Sequence, residues 1–275
     1  MTRISIKRGK AINNNVAIRK RYENALEQLV LQMRRDTEAE MKRLFRNNRE
    51  VYAEDAKNDG KISTKAKIAI AALLLKFRLM FADIGKKSAI SMIEASNRYT
   101  TSAVRFSLEE MTGNKMQNLA VAHMANRGGE TRRASLNENE SLLKSIPEQY
   151  FTGITTETMQ AISTGIVSDV EQAVEKQGNI SARRAKTIAA DQTHKVIQAL
   201  AIQKMIGQGF KKFEWVYTYR SKEPRKSHVA MNGKVYRFDE PPIVNADQPK
   251  QPPRHGYPGT EINCKCVARP VAEME

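Results

Sequence analysis

Residues 205–219 read MIGQGFKKFEWVYTY, and within this stretch the hydrophobic period changes. Up to Met205 the apolar residues Ile188, Val196, Leu200 and Met205 recur at helical steps. Gly207 and Gly209 stop that helix. From Phe213 the rhythm becomes two, with Phe213, Trp215, Tyr217 and Tyr219 alternating with Glu214, Val216 and Thr218. An aromatic-rich alternation of this kind predicts a strand. The chain is therefore α+β and mostly α-helical, with long N-terminal helices followed by a small C-terminal domain. That domain holds a short antiparallel sheet and Pro-rich loops.

Downstream of the strand, Asn232-Gly233 lies between His228–Met231 and Lys234–Phe238, which predicts a type I′ hairpin. Pro241 to Gly259 reads as a Pro-rich loop, and Ile262 to Ala268 as a returning strand. Upstream the chain holds no proline before Pro147, so long helices can run uninterrupted. Tyr22, Leu26, Leu29, Met33, Met41 and Leu44 predict one amphipathic helix from about Val16 to Arg46, with a weak turn at Thr37. Asn47, Asn48 and Asp55 to Gly60 read as a loop. Ser63 is the expected N-cap of a helix through Ile68, Leu75, Leu79 and Ile84. Further helices are expected over 89–98, 102–111 and 115–126, then a connector at Arg127–Asn139. A helix from Thr155 to Lys176 ends at Gly178, and Asn179 or Ser181 caps the next. The expected domains are a basic helical region, 1–140, and a second domain, 141–275. The second is helical to about 208 and a β/loop module over 209–275.

The 275 residues carry 46 Lys+Arg against 30 Asp+Glu, a formal net charge of +16. The excess is +11 over residues 1–100, zero over 101–200 and +5 over 201–275. A basic N-terminal part suits a polyanion or an acidic partner surface. Arg19, Lys20, Arg21, Arg34, Arg35, Lys42 and Arg43 on the first helix are the candidate nucleic-acid contacts. Hydrophobic residues at 40% are enough for a folded core, and two cysteines exclude a disulfide scaffold. No apolar signal region is expected at the N-terminus, and the longest apolar run, Ile68 to Leu75, is too short to span a membrane. No membrane partner is expected. The expected setting is a reducing compartment.

Chemistry-bearing residues concentrate in the last quarter. Two thiolates and an imidazole are good zinc ligands, so His228, Cys264 and Cys266 form a candidate metal set, with His255 the nearest fourth ligand. The other reading makes the cysteines small core residues and His228 a hydrogen-bonded hairpin residue, and the short Cys-x-Cys spacing favours it. No cofactor is required on that reading. Asp191 and His194, three apart on one helix face, are expected to be a surface hydrogen-bond pair. No catalytic residue is assigned, because paired carboxylates at two-metal spacing and an activated nucleophile are both lacking in motif context.

The order of motifs resembles the C-terminal domain of the phage head-morphogenesis proteins, the minor capsid family typified by protein F of phage Mu. Arg184, Ala185, Ile188 and Ala189 open the helix motif, and Trp215 marks the strand. Arg225, His228, Gly233 and Lys234 match an R-x-x-H-x-x-x-x-G-K segment, and Asn263, Cys264 and Cys266 a terminal N-C-R-C, with Lys265 for Arg. Ala190, Asp191 and Gln192 depart from the family's Arg, Thr and Glu. The resemblance covers about residues 150–270. It implies a non-enzymatic minor head protein of a tailed phage, in the capsid interior near the portal, present in the host cytoplasm during assembly. The implied partners are the portal protein and other head or scaffold proteins, with double-stranded DNA bound non-specifically. The alternative function is a metal-assisted nuclease or nucleotide-modifying enzyme carried in the virion.

Overall fold

The computed structural model describes residues 5–46, 61–164, 168–219 and 223–274. Strand β1 (Ser5–Arg8) precedes helix α1 (Val16–Arg46) and helix α2 (Lys61–Met80). A single π-helical turn, Phe81–Gly85, joins α2 to α3 (Lys86–Thr112). Helices α4 (Asn118–Asn126), α5 (Gly129–Thr164) and α6 (Ser168–Gly207) follow, then β2 (Lys212–Val216), the short α7 (Lys226–Ala230), β3 (Val235–Arg237) and β4 (Val267–Met274). The fold is mostly α-helical α+β, as the change of period at Met205–Phe213 predicts.

The sheet draws on both ends of the chain. Its order is β1-β4-β2-β3, antiparallel throughout, with Lys7 opposite Ala272, Trp215 opposite Ala268 and Phe213 opposite Tyr236. The N-terminal segment, polar and basic in sequence, gave no strand signal. Its pairing continues past β1, since Gly9 N–H donates to Pro270 O at 3.0 Å and Ile12 N–H to Ala268 O at 3.0 Å. Glu214, 6% exposed, accepts from Arg8 at 2.5 Å and Arg269 at 2.9 Å, which neutralises a buried carboxylate with one cation from each of two strands.

The chain packs as two compact units, each discontinuous in sequence: Met1–Arg19, Ser91–Ser135 and Ala190–Glu275 form one, Lys20–Ile90 and Leu136–Ala189 the other. This division differs from consecutive domains over 1–140 and 141–275. The first unit holds the sheet and a core of Ile12, Val104, Leu108, Ile197, Phe213 and Trp215, among others. In the second, Tyr22, Leu26, Met33, Phe77, Phe81 and Tyr150 are buried, and the Tyr150 and Phe151 rings meet edge to face at 4.9 Å.

Helix α1 has the predicted bounds because Asn15 Oδ1 accepts the Ile18 N–H at 3.1 Å, an N-cap bond. Thr37 does not break it, since its hydroxyl donates back to Met33 O at 2.8 Å. Several local expectations are corrected. Ser63 lies inside α2, which begins at Lys61. The buried face of that helix carries Ile62, Ala66, Ile70 and Phe77, while Ile68, Leu75, Leu79 and Ile84 are exposed. Residues 129–139, read as connector, belong to α5, and buried Asn139 accepts the Tyr22 hydroxyl at 2.9 Å. Gly178 does not end a helix, and Asn179 and Ser181 do not cap one, because α6 runs through all three. The Arg34 side chain packs over Gly178, where an added Cβ would lie 2.8 Å from its Cδ, and the backbone there is not left-handed. The loop expected at Asn47, Asn48 and Asp55 to Gly60 lies outside the described residues.

Candidate metal centre

His228 sits on α7, whose N-cap is Arg225 in extended conformation. Cys264 and Cys266 lie just before β4. All three are buried, at 3%, 4% and 1% exposure, and their Nδ1 and sulfur atoms lie within 4.8 Å of one another. His228 Nδ1 is 3.4 Å from Cys264 Sγ and 3.7 Å from Cys266 Sγ. Its other nitrogen, Nε2, is 3.2 Å from Val244 O. A carbonyl can only accept, so Nε2 carries the proton and Nδ1 turns a lone pair to the sulfurs. The Cys266 N–H points at Cys264 Sγ, 3.4 Å away. The hydrogen bond from the Cys266 thiol holds the Cys264 pKa down, and Cys266 is pushed up in turn.

The other motif residues hold this cluster in place. Arg225 Nη2 donates to Ile262 O at 2.9 Å, just ahead of Asn263. Asn263 adopts φ +58°, and its N–H donates to Asp191 Oδ1 at 2.6 Å. Gly233, at φ +76°, donates its N–H to Trp215 O at 2.8 Å, and Trp215 N–H donates to Lys234 O at 2.9 Å. The predicted type I′ hairpin does not form: it needs positive φ at both central residues, and Asn232 lacks it because α7 leads directly into the turn. Trp215 packs edge-on against His228 with centroids 5.3 Å apart. Its ring is fully buried, as is Tyr217 at 7%, while Tyr219 is exposed.

Asp191 and His194 are buried, at 7% and 2%, which corrects their reading as a surface pair. His194 Nε2 is 2.9 Å from Cys266 O, and burial lowers its pKa, so the neutral ring donates there. Gln198, one turn further on, donates to Ile12 O at 2.7 Å and accepts from Ala268 N–H at 3.0 Å. Residues 191, 194 and 198 share one face of α6 and bind the backbone of Asn263, Cys266 and Ala268 in order. The signal was present in sequence as polar residues at positions i, i+3 and i+7 among apolar neighbours. Its target was not.

His255 is not brought to the cluster. It is exposed, with Nδ1 2.6 Å from Pro241 O, and pairs with Ile243 in an isolated bridge that folds the Pro-rich loop on itself. The candidate nucleic-acid residues lie along α1. Lys20, Lys42 and Arg43 are paired with Glu23, Glu38 and Glu40 at 2.9, 2.7 and 2.6 Å, Arg19 is half-buried, the Arg34 stem lies beside Gly178, and Arg21 and Arg35 are exposed.

These features define a helical protein whose C-terminal segment is pinned between a helix face and a small sheet by a buried histidine–cysteine cluster. Residues 152–269 match the family described as Phage Mu protein F like protein, which bears out the resemblance read from the motifs. An uncharacterized protein of Haemophilus influenzae is 28% identical over 256 residues, covering 92% of this chain. The chain spans about half the length, 53%, of that relative. No solved structure matches.

Proposed function

We propose that this chain is a minor head protein of a tailed phage, lying inside the prohead near the portal, assisting head assembly and associating non-specifically with packaged DNA. The observation that carries the proposal is the family match over residues 152–269, together with the way its motif residues are used. Arg225, His228, Asn263, Cys264 and Cys266 converge on one backbone segment, and Gly233 closes the turn onto Trp215, which is what a docking module needs. The charge of +16 suits a place beside packed DNA or an acidic lumen. Among the described residues no helix is long and apolar enough to cross a membrane.

The nuclease reading has less support. His228, Cys264 and Cys266 are at most 4% exposed, which leaves a polynucleotide no access to them. The deciding experiment is co-expression of the full chain with the portal protein of the same phage, followed by size-exclusion chromatography at low and high salt. Co-elution that survives high salt is the expected result. Separate elution at both salt concentrations overturns the portal contact, and DNA or RNA cleavage by the pure chain with Mg²⁺, Mn²⁺ or Zn²⁺ that His228→Ala abolishes overturns the non-enzymatic role.

A further inference from the structure

We propose that His228 Nδ1, Cys264 Sγ and Cys266 Sγ bind one zinc ion that staples the C-terminal segment to α7 and β2, the fourth donor being water or a small exogenous ligand. Zn–S and Zn–N bonds of about 2.3 and 2.0 Å at the tetrahedral angle put sulfur and nitrogen roughly 3.5 Å apart. The observed separations of 3.4 and 3.7 Å bracket that value. Both sulfurs thus stand at ligand spacing from the imidazole nitrogen, and all three donor atoms lie within 4.8 Å of one another.

The surroundings point the same way through independent contacts. The Val244 carbonyl fixes the proton on His228 Nε2, the outer-shell pattern by which proteins orient a metal-binding imidazole. The Cys266 N–H, directed at Cys264 Sγ, suits a sulfur carrying negative charge. The Trp215 indole N–H is buried beside the same histidine and turned toward Cys266, where a metal-bound thiolate would accept from it. In the bound state both sulfurs are thiolates, any remaining thiol proton goes to solvent, and no oxidation state changes.

The remaining ionisable neighbours are committed elsewhere. Asp191 accepts from the Asn263 N–H, His194 bonds the Cys266 carbonyl, and His255 is on Pro241. The protein set is therefore three ligands and excludes His255. The staple fits a module whose loop from Phe238 to Val267 holds only turns and the Ile243–His255 bridge.

The test is elemental analysis of the full chain, purified in reducing buffer without chelator, with Co²⁺ titration of the metal-free protein. About one zinc per chain is expected, with a sulfur-to-cobalt charge-transfer band saturating at about one equivalent. Cys264→Ser, Cys266→Ser and His228→Asn should each lower zinc at least about fivefold, and His255→Ala should leave it unchanged. If a ligand variant fails to fold, the wild-type cobalt titration still decides. A wild-type chain that holds under about 0.1 zinc and gives no cobalt–thiolate band overturns the site. So does a mass two hydrogens light, which would mean a Cys264–Cys266 disulfide, and loss of zinc in His255→Ala overturns the ligand set.

Discussion

Gln198 shows how much one buried side chain can decide. It bonds backbone near the N-terminus, at Ile12, and near the C-terminus, at Ala268, so both terminal segments depend on it. Gln198→Leu keeps the volume and leaves a carbonyl and an N–H unpaired in the core. The expected loss of stability in urea unfolding is roughly 2–5 kcal/mol, against under about 0.5 kcal/mol for a surface change such as Gln28→Leu. Lys204 is the second such residue. Its ammonium donates to Asn97 Oδ1 at 2.6 Å, and burial lowers its pKa to about 8 from 10.5. The unfolded chain therefore binds more protons than the folded one between those values, and Lys204 makes stability rise with pH across that window. Its slope is at most about 1.4 kcal/mol per pH unit. Denaturant midpoints from pH 7 to 10 should show this rise in the wild type relative to Lys204→Met. Buried Tyr22, whose pKa is raised, pulls stability the other way above pH 10 in both proteins.

Element by element, periodicity succeeded where one face of a helix is apolar and failed where two are. Helix α1 was legible to its last residue because most of its large apolar residues fall on one buried face. Helix α2 carries apolar residues on both sides, and the sequence offered no means to choose between Ile70 and Phe77 on one and Leu75 and Leu79 on the other. The choice has measurable consequences. Phe77→Ala should cost about 3–5 kcal/mol of stability, whereas Leu79→Gln, at a position 64% exposed, should change it by under about 0.5 kcal/mol while lowering aggregation. Glycines misled for a related reason. Gly178 reads as a stop, yet the helix runs through it beneath the Arg34 side chain, and a stop and a packed glycine differ only in a neighbour absent from the local sequence.

For the molecule as a whole, charge is the property most open to experiment. Three of the seven basic candidates on α1 have a carboxylate one turn away, so the local field is weaker than the count of Lys and Arg suggests. Exposed Arg21 and Arg35 are the better phosphate contacts on that helix. If the chain binds DNA as proposed, replacing both by Gln should weaken retention equally on unrelated sequences. The slope of log K against log salt should fall by about 2, close to 0.9 for each phosphate that is no longer neutralised. Fluorescence anisotropy on two duplexes of different sequence at four salt concentrations measures both effects.

The sequence by itself determined the helix-to-strand change at Met205–Phe213, the bounds of α1, the basic character, and the C-terminal motifs that carry the family resemblance. These are properties of neighbours along the chain, where period, capping and spacing act. Tertiary structure alone decided that Ser5–Arg8 becomes an edge strand on β4, that Asp191, His194 and Gln198 grip the segment from Asn263 to Ala268, and that His255 stays out of the cluster while His228 enters it. Each of those depends on a partner remote in sequence, from Pro241 for His255 to Met274 for Ser5 at the far end of the chain. Such partners are brought together by burial and by the need to pair every polar backbone group that burial strands.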